Sequence, residues 1–272
     1  MDSELTRQLI ELVEEAGAAI MAVYQTDFEI ETKADESPLT QADLAAHRII
    51  EARLLELTPD IPLFSEESEP PDFEVRRAWN RYWLVDPLDG TKEFINRNGE
   101  FTVNIALIED HLPVFGVVGV PVKGLVYVGD KSTGAYCLSA SGKKILSGRV
   151  LEEATPLVVV ASRSHGGERL EHYLDELKSV FGEVTRTPVG SSLKLCILAQ
   201  GEADLYPRLG PTSEWDIAAA HAVLAAAGGE VWNVDGEPFE YNRKSSVLNP
   251  EFFAAADGGY PWRERLPPVP VE

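Results

Sequence analysis

The chain has 272 residues, 44% hydrophobic and 25% charged, the balance of a globular protein with enough length for one large or two modest domains. Its 45 acidic residues against 24 Lys and Arg give a formal net charge of −21, which argues against nucleic-acid wrapping and against attraction to anionic lipid, since both need basic surface. Only two cysteines, far apart, and no apolar run near the roughly 20 residues of a membrane span leave no disulfide framework, Cys-based zinc site or transmembrane segment to expect.

A reducing, cytoplasmic setting fits this cysteine usage, with peripheral association left open. Ser3 is placed to cap a first helix whose Leu5, Leu9, Leu12, Val13, Ala16, Ile20 and Val23 form one apolar stripe. Residues 28–32 read as a short strand. A polar loop containing Pro38 then runs into a second helix ending near Leu57, with Leu44, Ile50, Leu54 and Leu57 as its buried face. Thr40 and Asp43 have near capping-box spacing, which gives Asp43 an ordinary structural role in the first helical turn. Residues 61–64 read as a short strand that ends at Ser65-Glu66-Glu67-Ser68, and residues 69–80 read as a loop with a little helix.

The organising stretch is Trp83-Leu84-Val85-Asp86-Pro87-Leu88-Asp89-Gly90-Thr91-Lys92-Glu93-Phe94. Residues 82–85 read as a buried strand that stops abruptly at a carboxylate. Pro87 biases Asp86 toward an extended backbone, and Gly90 permits a conformation that a Cβ resists, so Asp86 and Asp89 can converge. Thr91 is placed to cap a helix starting at Lys92, which would set backbone N–H groups beside the two carboxylates. Cations and an anion could meet there, as a magnesium-dependent phosphatase requires. Residue by residue, Asp, Pro and Gly are also ordinary turn formers.

Alternating apolar residues around 103–107 and apolar runs at 114–120, 125–128 and 135–138 predict an antiparallel sheet, making the first half α+β. The polar stretch 147–156 is the best boundary, giving an N-terminal domain of residues 1–152 and a C-terminal α/β domain of 153–272. In the latter, helices near 167–180, 191–200 and 213–227 alternate with strands near 157–160, 184–187, 203–206 and 230–234. The Pro-rich tail from Pro261 is expected to fray. Asp216 lies in the first turn of an Ala-rich helix, either as a dipole partner or as a ligand from the second domain at an interdomain cleft. Ser191 and Lys194 at a helix start suit a second, non-reacting phosphate. Arg208 and His165 are further candidates for nucleotide contacts, and Cys196 reads as core.

Asp86-Pro87-Leu88-Asp89-Gly90-Thr91, with Ser65-Glu66-Glu67-Ser68 upstream and Trp215-Asp216-Ile217-Ala218-Ala219 downstream, resembles the lithium-sensitive, magnesium-dependent phosphatases related to inositol monophosphatase, over nearly the whole chain. Within that superfamily, residues 82–95, residues 98–108 and Gly190-Ser191-Ser192-Leu193-Lys194 resemble the bacterial 3'(2'),5'-bisphosphate nucleotidases of the CysQ type. The resemblance implies an α/β fold with a layered αβαβα architecture. It also implies hydrolysis of adenosine 3',5'-bisphosphate to AMP, and of 3'-phosphoadenylyl sulfate to adenylyl sulfate.

By the same resemblance, Glu66, Asp86 and the Leu88 carbonyl hold one magnesium, and Asp86, Asp89 and Asp216 hold a second. Asp43 sits beside Thr91 and, with Glu66, orients the attacking water, with a third and weaker metal as an option. The N–H groups of Gly90 and Thr91 cradle the scissile phosphate, while His165, Ser191, Lys194 and Arg208 contact the nucleotide. A homodimer and a peripheral position on the cytoplasmic face of the inner membrane are compatible with this picture. An inositol or sugar monophosphatase using the same metals is the alternative, and a non-catalytic metal-binding protein is a third reading.

Overall fold

The computed structural model describes residues 1–28, 30–32, 38–152, 155–162 and 167–270. Two helices open the chain, α1 (Ser3–Tyr24) and α2 (Gln41–Leu57). Between them β1 (Ile30–Thr32) and β2 (Pro38–Thr40) pair antiparallel. Asp2, not Ser3, caps α1: its carboxylate accepts the Leu5 N–H at 3.3 Å, and Ser3 is the first helical residue. The apolar stripe of α1 is buried at Leu9, Leu12, Val13, Ala16 and Ile20. In α2 the innermost residues are Ala42, Asp43, Ala46, His47, Ile50 and Leu54, while Leu44 and Leu57 are only half-buried.

Seven strands form the first sheet in sequence order: β3 (Leu63–Ser65), β4 (Arg81–Asp89), β5 (Thr102–Glu109), β6 (Leu112–Val120), β7 (Leu125–Asp130), β8 (Gly134–Ser139) and β9 (Gly142–Ile145). Only the β3–β4 pair is parallel. Short helices α3 (Phe73–Arg76) and α4 (Thr91–Ile95) flank β4. The second sheet has the order β11-β10-β12-β14-β13, from β10 (Leu157–Ser162), β11 (Val184–Val189), β12 (Leu205–Arg208), β13 (Glu230–Asn233) and β14 (Phe252–Ala255). Its helices are α5 (Gly167–Phe181), α6 (Leu193–Ala199), α7 (Glu214–Ala226) and α8 (Trp262–Arg265).

The alternation of side chains along β4 separates two cores. Trp83 and Val85 pack with Leu9, Leu12, Ala46 and Ile50 of α1 and α2. Tyr82 and Leu84 face the other way, onto Leu195 and Leu198 of α6 and Ala218 and Ala219 of α7, which also cover Tyr206 and Ala254 of the second sheet. The outer face of that sheet, Leu157, Val159 and Ala161, packs with Leu170, Tyr173 and Leu177 of α5 and with Trp262. The layers therefore run α1/α2, first sheet, α6/α7, second sheet, α5/α8, the expected αβαβα order. Close seating of α7 depends on two strand glycines: a Cβ on Gly116 would lie 2.1 Å from the Ala219 carbonyl oxygen, and one on Gly129 would lie 2.3 Å from the Val223 Cα. That contact explains why α7 is rich in alanine.

Three strands, β2, β9 and β14, fall where no strand is predicted; β9 is exposed along its length and lacks the apolar signal of a core strand. The tail also departs from expectation. Trp262 is 1% exposed, its indole N–H donates to the Asp257 carbonyl at 2.8 Å, and the Arg169 Nε donates to the Pro270 carbonyl at 2.6 Å. The prolines remove helical propensity, but one buried indole anchors the segment. Among the described residues no helix is long and apolar enough to cross a membrane.

Candidate active site

In a regular strand, residues three apart point to opposite faces. Asp86 and Asp89 are three apart, yet they share one side because β4 bulges between them. Asp86 pairs with Asn104 and Asp89 with Thr102, so β4 spends one residue more than β5 over this interval. Pro87 lies inside the bulge, where its missing N–H costs no ladder bond. The Asp86 carboxylate accepts the Leu88 N–H at 3.0 Å and is 1% exposed.

Parallel pairing of β3 with β4 continues one residue further, where the Glu66 N–H donates to the Val85 carbonyl at 3.0 Å. This brings Glu66 into hydrogen bonding with Asp86. Asp216 arrives from the other half of the chain. In the first turn of α7 it closes a capping box with Ser213, accepting the Ser213 N–H at 2.9 Å.

These carboxylates repel one another in a water-poor site. Burial first, then Glu66, Asp89 and Asp216, push the Asp86 carboxyl well above its ordinary range. Burial raises Asp89 to about 7, against the opposing pull of the Lys194 ammonium and the Ser192 N–H. Burial and then Asp89 likewise hold Asp216 well above the usual carboxylate value. Such a cluster of oxygen donors with excess negative charge suits hard divalent cations, whose binding would reverse the penalty. Among the described residues, no three Asp, Glu, His or Cys side chains already stand in a metal-holding arrangement. A separate backbone donor holds each of three carboxylates: Leu88 for Asp86, Ser192 for Asp89 and Ser213 for Asp216.

Gly90, with φ 91°, caps α4, and Thr91 is the first helical residue rather than the cap. At five residues α4 has little macrodipole, so its local N–H groups matter more than its length. The Thr91 hydroxyl donates instead to Asp43 Oδ1 at 3.3 Å.

A cleft of about 240 Å³ is lined by Glu66, Asp86, Leu88, Asp89, Gly90, Thr91, Ser191, Lys194, Arg208 and Asp216, and Asp43 adjoins it through Thr91. His165 lies outside the described residues. Ser191 has φ 49°, and its carbonyl accepts from the buried Lys194 Nζ at 2.6 Å. Burial lowers Lys194 to about 8 although Asp89 opposes the shift. Arg208, also buried, donates to the carbonyls of Gly210 at 3.1 Å and Pro211 at 2.5 Å. Both cations line the cleft while bracing the loops around it.

Sequence reasoning missed the polar support beneath Asp89. The Ser192 hydroxyl donates to Asn104 Oδ1 at 2.7 Å and stands 2.8 Å from the Thr102 hydroxyl, while the Ser192 N–H holds Asp89. Its one local signal was polar Thr102 and Asn104 in an otherwise apolar strand, both fully buried.

The model of the inositol monophosphatase family matches residues 1–259. The chain is 50% identical over 247 residues to 3'(2'),5'-bisphosphate nucleotidase CysQ of Escherichia coli (strain K12), covering 90% of this chain and 97% of that protein. Identity is 32% over 264 residues to the protein of the same name from Haemophilus influenzae, covering 97% of each. The crystal structure of CysQ from Bacteroides thetaiotaomicron, described as a bacterial member of the inositol monophosphatase family, matches with a TM-score of 0.81 at 41% identity, covering 93% of this chain and 97% of that one. With its layered fold and acidic cleft, the chain belongs to the inositol monophosphatase family.

Proposed function

We propose that the chain is a magnesium-dependent 3'(2'),5'-bisphosphate nucleotidase that removes the 3'-phosphate of adenosine 3',5'-bisphosphate to leave AMP, with 3'-phosphoadenylyl sulfate as a related substrate. The observation that carries this reading is the meeting of Glu66, Asp86, Asp89 and Asp216 in one cleft that Lys194 and Arg208 also line. The named activity of relatives about half identical across nine tenths of the chain supports the choice of substrate.

Glu66, Asp86 and the Leu88 carbonyl would hold one ion, and Asp86, Asp89 and Asp216 a second. When bound, such ions neutralise phosphate charge and acidify a coordinated water. Asp43 fixes the direction of the Thr91 hydroxyl, leaving that oxygen to accept a hydrogen bond from the water that attacks phosphorus; as the water's proton passes to Thr91, the Thr91 proton passes to Asp43 Oδ1. The N–H groups of Gly90 and Thr91 face the charge on the scissile phosphate, and Gly90 permits the backbone turn that presents them. Ser191, Lys194 and Arg208 provide donors and positive charge for the second phosphate. In this reading residues 1–152 supply most metal ligands, and residues 153–272 supply Asp216 and the nucleotide side.

Phosphate release from adenosine 3',5'-bisphosphate, 3'-phosphoadenylyl sulfate, 3'-AMP and inositol 1-phosphate, each with magnesium and with EDTA, tests the proposal. Fast magnesium-dependent release from the two 3',5'-substituted nucleotides is expected. Faster release from inositol 1-phosphate would make the chain an inositol phosphatase instead, and no release from any ester would overturn an enzymatic role.

A further inference from the structure

Arg76 sits on α3, the little helix in a polar connection, yet it is 2% exposed. Its guanidinium donates to Asn242 Oδ1, to the Lys244 carbonyl at 3.0 Å and to the Ser245 carbonyl at 2.5 Å. Asn242 returns the contact, donating from Nδ2 to the Arg76 carbonyl at 2.6 Å. The same guanidinium lies 5.6 Å from the centroid of Phe64, two residues before Glu66. A buried arginine with donors spent on three separate acceptors holds its neighbours in fixed relative positions, because each lost bond would leave a desolvated group unpaired.

Those neighbours lead to both halves of the acidic cleft. Asn242, held at φ 56°, donates its N–H to both carboxylate oxygens of Glu214 at 3.0 Å. Glu214 begins α7, and its own N–H donates to the Val247 carbonyl at 2.9 Å, so the 242–247 segment is stitched to the start of the helix that carries Asp216. On the other side Phe64 meets Trp215, the residue between Glu214 and Asp216, edge to face at 5.5 Å. Arg76 thus touches the strand leading to Glu66 directly and the helix start leading to Asp216 through Asn242.

We propose that Arg76 is a positioning residue that sets the separation of Glu66 and Asp216, and so the divalent-cation affinity of the cleft. The proposal rests on the metal-dependent reading given above. Arg76 touches no reacting atom and acts through Asn242, Glu214 and Phe64. Lysine at this position cannot form the same fork of hydrogen bonds.

The test compares Arg76→Lys and Asn242→Gly with wild type and with Leu174→Ala, a cavity variant in α5 on the outer face of the second sheet. Glycine accepts the positive φ of residue 242, so Asn242→Gly removes the bridging amide without adding backbone strain. Manganese binding is read by electron paramagnetic resonance on the protein without substrate, and the magnesium concentration for half-maximal phosphate release is read separately. Loss of groups that orient metal ligands typically weakens metal binding about tenfold to a hundredfold, and that shift is expected in both variants, with KM at saturating magnesium near wild type. Leu174→Ala should lower Tm and leave metal affinity alone. Wild-type metal affinity in Asn242→Gly, or an equal shift in Leu174→Ala, would overturn the proposal, even if Arg76→Lys fails to fold. If wild type itself neither binds manganese nor releases phosphate with magnesium, the parent reading fails instead.

Discussion

Thr91 and Asp43, 48 residues apart in the chain, are joined by a hydrogen bond of 3.3 Å from the Thr91 hydroxyl to Asp43 Oδ1. The other oxygen, Asp43 Oδ2, accepts the Thr40 N–H at 2.8 Å and the Thr40 hydroxyl at 2.6 Å. One carboxylate therefore closes the capping box of α2 and orients a hydroxyl at the cleft. The structural and functional readings of Asp43 are compatible because each uses a different oxygen. Thr91→Val keeps the shape and the backbone N–H but removes the donor. Turnover should fall on the order of a hundredfold, as for a lost proton-transfer group, with KM little changed. Unaltered kcat with a lower Tm would reduce Thr91 to a structural residue.

Asp86 bears the greatest electrostatic load, since burial and three acidic neighbours all disfavour its charge. Asp86→Asn should therefore leave metal-free Tm unchanged or raise it by about 2–4 °C for each kcal/mol of relieved repulsion. Magnesium-dependent turnover should fall by more than about a hundredfold, beyond the usual effect of groups outside the ligand set. Thermal melts in EDTA and kinetics at saturating magnesium check both halves; a sharp drop in metal-free Tm would mean that Asp86 is mainly a structural acceptor for Leu88.

Lys194 braces the Ser191 carbonyl and also faces the cleft. If its ammonium holds the non-reacting phosphate, Lys194→Ala should cut kcat/KM for adenosine 3',5'-bisphosphate about tenfold to a hundredfold more than for 3'-AMP, the span given by one charge-assisted hydrogen bond. An equal loss on both substrates would identify Lys194 as a brace for the strained 191 turn alone.

His221 lies in α7, away from the acidic cleft, with Nδ1 2.9 Å from the Tyr241 hydroxyl and Phe239 against its ring. Burial lowers its pKa from 6.5 to about 3. Below pH 6.5 the unfolded chain takes up a proton that the folded protein refuses, so this residue's contribution to stability falls as pH drops toward 3, by at most about 1.4 kcal/mol per pH unit. Above pH 6.5 both states are neutral and the slope vanishes. His221→Asn keeps a polar atom near Tyr241 but cannot titrate. Denaturant unfolding at pH 7 and pH 5 should show a smaller acid loss in the variant than in wild type; equal losses would exclude His221 as a source.

Much of the chain was legible without coordinates because its signals are local. The 3.6-residue stripe of α1, the apolar runs of β4 to β8 and β10, and the capping pair Thr40 and Asp43 at the start of α2 each depend on near neighbours. The acidic motifs stood out because each marks the end of an apolar run or the start of a helix: Glu66 and Asp86 where the runs of β3 and β4 stop, Asp216 in the first turn of α7. What the tertiary structure alone decided were relations between distant segments. The bulge that turns Asp86 and Asp89 to one face is a register difference against β5, invisible in β4 by itself. The hold of Ser192 on Asp89 and the reach of Arg76 to Asn242 join residues 103 and 166 positions apart. The tail reads as frayed because proline dominates its composition, yet it is held by Trp262, buried in a pocket built by α5 and the second sheet, and by bonds from Arg169 and Tyr173 of α5 to the Pro270 and Pro267 carbonyls. Periodicity reports which face a residue occupies; only packing reports what meets it there, because that contact is settled by the whole chain's competition for burial.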